Sequence, residues 1–162
     1  MKYVAGLLAL CTMSAFAQVP ISGTVESKCV ITTDTDGVYG NPTPSKLSTG
    51  AADGGVTPIV RFDVVSADYY KARISYPIDF SSSPELLDTV NWSGAVTVGE
   101  VSNAEMAAYE TAKVEFNNTV EFDLTLAGST WFKIDSEADY GYDKAFPAGT
   151  YNAVVEAECI AK

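Results

Sequence analysis

The chain contains no histidine. That absence removes the side chain that most often acts as general base near neutral pH, and the commonest zinc ligand. Ser-His-Asp and Cys-His mechanisms are therefore excluded. Basic residues are scarce: ten Lys and Arg stand against 21 Asp and Glu, for a net charge of −11. A surface this acidic repels phosphate backbones and anionic lipid, so nucleic acid is not an expected partner. Long apolar runs are missing as well. The first, residues 3–13, is too short to cross a bilayer, and nothing later approaches spanning length. No membrane span is expected. Cysteine is limited to Cys11, Cys29 and Cys159.

What is present begins with a secretory signal pattern. Lys2 supplies a positive start, residues 3–13 an apolar stretch, and Ala15-Phe16-Ala17 the small residues a signal peptidase accepts. The expectation is a signal peptide over residues 1–17, with cleavage before Gln18 and a single domain over residues 18–162. A lipid anchor on Cys11 would need a small residue before it, and Leu10 is not one. Only Cys29 and Cys159 then remain. In an oxidising compartment two cysteines most simply form one disulfide, with a pair of unlinked buried thiols as the alternative. Parity supports the bond. Val19, Ile21, Gly23, Val25, Cys29 and Ile31 share one face of an extended chain, as do Tyr151, Ala153, Val155, Ala157 and Cys159. Closing a loop this long contributes roughly 4–5 kcal/mol in the chain-entropy account.

The dominant period is two. In residues 119–127, Val120, Phe122, Leu124 and Leu126 alternate with Glu121, Asp123 and Thr125, the pattern of a strand with one wet face. Residues 59–65 repeat it, and residues 69–76, 95–101, 113–116 and 131–135 read as further strands. With the two terminal segments this makes about eight, separated by turn chemistry. One helical stretch, residues 104–108, follows a cap at Ser102 or Asn103 and is expected to bridge strands across a sandwich edge. Residues 34–58, with Pro42, Pro44 and Pro58, read as a long irregular loop. The pattern predicts an all-β, antiparallel β-sandwich.

Candidate chemistry is sparse. Asp135, Glu137, Asp139 and Asp143 place carboxylates at alternate positions, which a curled loop could aim at one Ca²⁺; a solvated acidic turn is the plainer reading. Beyond that calcium candidate no cofactor is expected. The aromatic pairs Tyr69-Tyr70 and Tyr140-Gly141-Tyr142, with Trp92 and Trp131, are candidates to stack on a sugar or anchor a partner, against the reading that they fill a core. No nucleophile or base motif can be named, so an enzyme is not expected.

The ends of the chain carry one further signal. The opening Ile21-Ser-Gly23-Thr-Val25-Glu-Ser-Lys-Cys29 resembles the first strand of chaperone–usher pilins. The closing Phe146-Pro-Ala-Gly149-Thr-Tyr151 resembles the lead-in to the last strand of bacterial fimbrial surface β-domains. The resemblance implies an immunoglobulin-like β-sandwich left incomplete and finished by a strand from a neighbouring subunit, the β-augmentation mode. It implies a structural subunit of a bacterial surface filament, exported through the periplasm to the cell surface. Its partners would be copies of itself or related subunits, with an assembly chaperone. Val19, Ile21, Gly23 and Val25 would form the donor or edge strand. The other reading is a self-complete secreted or periplasmic module that binds glycan or Ca²⁺.

Overall fold

Strand alternation organises the molecule, as a computed structural model describing residues 21–24 and 28–162 makes plain. The described strands are β1 (Cys29–Thr35), β2 (Gly40–Thr43), β3 (Lys46–Ser48), β4 (Ile59–Val64), β5 (Tyr70–Ser75), β6 (Asn91–Val101), β7 (Val114–Phe116), β8 (Thr119–Leu124), β9 (Gly128–Asp139) and β10 (Glu156–Ala161). All their pairings are antiparallel. One sheet runs β1-β4-β9-β3-β2, with β6 along the other edge of β9; the second runs β10-β5-β8-β7. The twelve-residue β9 is the spine of the larger sheet. Gly128 to Lys133 pair with β4 and Glu137 to Asp139 with β3, while β6 follows nearly the whole opposite edge.

The two sheets pack as a sandwich because each strand turns one apolar face inward. Val60, Phe62 and Val64 of β4, Val120, Phe122 and Leu124 of β8, and Phe132 and Ile134 of β9 are all buried. Phe132 joins the layers: its ring centroid lies 5.5 Å from Phe62 and 4.4 Å from Phe122.

The two sides of the sandwich close differently. Beyond β6 and β7, a 3-10 turn at Ala104–Ala108 runs into the short helix α1 (Tyr109–Ala112). Asn103 caps it, accepting from Glu105 N–H at 3.0 Å, and Met106 and Tyr109 plug the gap between sheets. This is the expected helical bridge. On the opposite side β1 and β10 are terminal strands, linked by the Cys29–Cys159 disulfide with Cα atoms 6.3 Å apart. Both cysteines pack against the core cluster, as their parity requires.

Three expectations need correction. Residues 34–58 are not one irregular loop: β2 and β3 form a hairpin that joins the larger sheet, with Pro42 tolerated because β2 is an edge strand. The first described strand begins at Cys29; Ile21 and Gly23 lie outside the described strands, and Ile21 is almost fully exposed. The reason is the length of β4, whose pairing with β1 ends at Val64, with one more bond from Val65 to Lys28. Val19 and Val25, and the expected signal peptide, lie outside the described residues. Finally, Asp135, Glu137 and Asp139 belong to β9, not to a curled loop.

Candidate functional site: an open groove between the first and last strands

The seam between β1 and β10 opens, beyond the disulfide, into a groove of about 750 Å³. One rim is β1 and the turn after it, through Thr33, Thr35 and Val38. The other is the extended run before β10, residues 147–155. Along that run Tyr151, Ala153 and Val155 face inward, yet they are only half-buried. Ile31 on β1 is half-buried in the same way. Inward apolar side chains left partly wet are what a sandwich missing one strand would present.

Backbone geometry agrees. Val65 N–H donates to Lys28 C=O, which makes Lys28 and Val65 a hydrogen-bonded pair of the β1–β4 ladder. Antiparallel alternation then turns the N–H and C=O of Ile31 and Thr33 away from β4, toward the groove side. Lys162 N–H donates to Tyr69 C=O, and the same alternation turns Ala157 outward from β5. Asn152 forms an isolated bridge with Ser82, after which residues 153–155 join no strand.

The far wall is aromatic. Phe80 is the hub, with ring centroids 4.7 Å from Trp92, 5.1 Å from Tyr151 and 6.0 Å from Phe146. Of these rings, Phe146 and Tyr151 line the groove, as does Tyr39 at 6.4 Å from Phe80. The floor beside Tyr39 carries hydroxyls. Tyr39 Oη and Ser136 Oγ are 2.8 Å apart, Ser136 N–H donates to Thr49 Oγ1 at 2.9 Å, and burial raises the Tyr39 pKa, with the bond to Ser136 opposing it. No buried side-chain polar atom among the described residues lacks a partner, so the floor asks nothing further of an occupant. The remaining apolar floor is Val60 and Leu47.

Other expected site residues fall elsewhere. In β9 the side chains of Asp135, Glu137 and Asp139 stand about 7 Å apart along the strand, too far to share one ion. Thr57 Oγ1 donates to Asp135 at 3.0 Å, Lys46 Nζ pairs with Glu137 at 2.9 Å, and Asp139 accepts from Gly141 N–H at 2.8 Å. Asp143 follows in a turn with φ 57°. Among the described residues no three His, Cys, Asp or Glu side chains are grouped to hold a metal. Of the aromatics, Tyr140 is buried and its hydroxyl accepts from Leu87 N–H at 3.0 Å, so it is a core residue. Trp131 donates to Asp34 at 3.1 Å under the Arg61 guanidinium. Tyr69 and Tyr142 remain exposed.

Sequence reasoning did not single out Tyr39, Thr49, Ser136 or Phe80. Ala153 and Val155 were visible through parity, Phe146 through the closing motif, and Tyr151 through both. No helix of the described residues is long and apolar enough to cross a membrane. Searches of protein families, of curated proteins and of solved structures return no match to this chain.

Proposed function

We propose that this chain is a structural subunit that accepts an extended strand from a neighbouring copy into the groove between β1 and residues 147–155, and so builds a head-to-tail filament at the cell surface. The observation that carries the reading is the half-exposed inner face of Tyr151, Ala153 and Val155 opposite the outer edge of β1 at Ile31 and Thr33, along which no described strand pairs. An inserted strand gains main-chain hydrogen bonds from that edge and sets its register by alternate apolar side chains. Residues 19–25 are the proposed donor, since Val19, Ile21, Gly23 and Val25 share a face. A donor that leaves its own subunit makes a heterologous contact, which need not close. The disulfide suits an exported protein, and residues 1–17 supply the export signal in this reading. An assembly chaperone would hold the same groove before assembly. No catalytic step is involved.

Size-exclusion chromatography of residues 18–162, with and without a synthetic peptide of residues 18–28, tests this. Multimers that boiling in SDS reduces to monomer, and peptide that blocks their growth, are expected. A monomer indifferent to the peptide rules strand acceptance out. One observation favours a second reading, a self-complete glycan-binding module: Tyr39, Phe146 and Tyr151 set rings beside the hydroxyls of Thr33, Thr35 and Ser136, a lining that suits a sugar. Such a protein would stay monomeric and show oligosaccharide-dependent quenching of tyrosine fluorescence.

A further inference from the structure

The Cys29–Cys159 bond sits where the two rims of the groove converge. Among the described strands β1 pairs with β4 alone and β10 with β5 alone. No ladder crosses the seam between them. The one covalent tie joins residues 130 positions apart in the chain and holds their Cα atoms at 6.3 Å. The groove starts past this point, with Thr33 and Thr35 on one side and residues 153–155 on the other. Apart from the bond that Lys28 N–H donates to Tyr70 Oη at 2.8 Å beside the disulfide, the described strands set the spacing of the rims through the disulfide and not through a ladder. The opposite side of the sandwich has no such dependence, because Met106 and Tyr109 fill it. Both cysteines are only half-buried, and reduction by a small dithiol is the first step the test below requires.

We propose that the disulfide is a redox-operated clasp on the groove: oxidised, it holds β1 and β10 at a strand-accepting separation; reduced, it lets these two edges part while the inner strands stay paired. A dithiol reductant attacks one sulfur, forms a mixed disulfide and releases the other as a thiol. Its second thiol then displaces the first sulfur, leaving two protein thiols and the reductant as a cyclic disulfide. Only the identity of the groove's occupant rests on the strand-acceptance reading; the clasp does not.

The test is amide hydrogen exchange on residues 18–162, oxidised and after reduction by dithiothreitol. Reduction is expected to speed exchange of the ladder amides of β1 and β10 by about tenfold, with β4, β8 and β9 unchanged. Uniform acceleration in every strand, or none anywhere, overturns the clasp. The double variant Cys29→Ala/Cys159→Val, which fills the space with apolar atoms, is expected to give the reduced pattern without reductant; the oxidised pattern would overturn the proposal. Fluorescence anisotropy with labelled peptide 18–28 provides the second readout. Binding about tenfold weaker to the reduced protein supports the clasp, and equal binding refutes it. Peptide that binds neither form defeats the strand-acceptance reading, and the exchange pattern then decides the clasp alone.

Discussion

Phe132 and Gly94 mark the two ways a single residue matters here. Phe132 is fully buried and touches a ring on each sheet, so truncation removes both the transfer energy and two ring contacts. Phe132→Ala is expected to cost about 3–5 kcal/mol, read by denaturant melts as a lower midpoint. Gly94 is the opposite case, a position where nothing more fits. A Cβ there would lie 2.6 Å from the Asp135 carbonyl oxygen and 2.6 Å from the Tyr76 ring. The ring can turn, but the carbonyl belongs to β9 and cannot. Gly94→Ala should therefore destabilise by about 1–3 kcal/mol; an unchanged midpoint would mean β6 is not held this close to β9. The acidic run makes the same point about neighbours. Asp135, Glu137 and Asp139 suggest a loop by type, yet β3 and β6 pair with β9 on both edges there and hold it extended.

At the scale of elements, β6 is an edge strand whose free edge is already occupied. Glu110 Oε2 accepts from Val98 N–H at 2.7 Å, Lys113 Nζ donates to Val96 C=O at 3.0 Å, and the two side chains pair at 2.8 Å. Side chains thus satisfy groups that would otherwise recruit another strand. Removing the acceptor with Glu110→Ala should cost about 1 kcal/mol and, more tellingly, produce concentration-dependent association in light scattering. Scattering that matches the parent would show that this edge is closed by something else. Titration adds a check. Burial alone would raise the Glu110 carboxyl, but hydrogen bonds from Lys113 and Val98 N–H outweigh it and hold the pKa below the ordinary 4.5. An acid depressed in the fold contributes stability above its unfolded pKa and loses it as pH falls through the folded value. The advantage of the parent over Glu110→Gln in thermal melts should be constant near neutrality and shrink once pH drops below 4.5.

The strands that alternation made legible, β4, β5 and β8, each bury one face and bond neighbours through the other axis, so period two was sufficient. The helical bridge was equally legible, because Asn103 caps it locally. The β2–β3 hairpin was not. It is held by β3 pairing with β9, a contact some ninety residues away (Lys46 with Asp139) that no local pattern announces. The groove was half legible: parity named Tyr151, Ala153 and Val155 as inward, but that they remain half-wet follows only from which strands are terminal.

Taken as a whole, the sandwich has two unlike sides. One side is plugged by Met106 and Tyr109 and blocked at β6 by Glu110 and Lys113; the other offers the groove. In the proposed assembly, one accepting side and one donating segment would add copies in a line. The donor's place in that line can be tested by removing it. Gly23 has no heavy atom within 4 Å of where its Cβ would lie, and Ile21 is almost fully exposed. These two described residues contribute little to the fold, and a chain of residues 25–162 is expected to melt within about 1 kcal/mol of the parent. It retains the groove and lacks the donor. Mixed with residues 18–162, it should accept a strand and pass none on, so mean multimer length in electron micrographs falls as its fraction rises. If filaments reach full length whatever the proportion, the donor lies elsewhere in the chain.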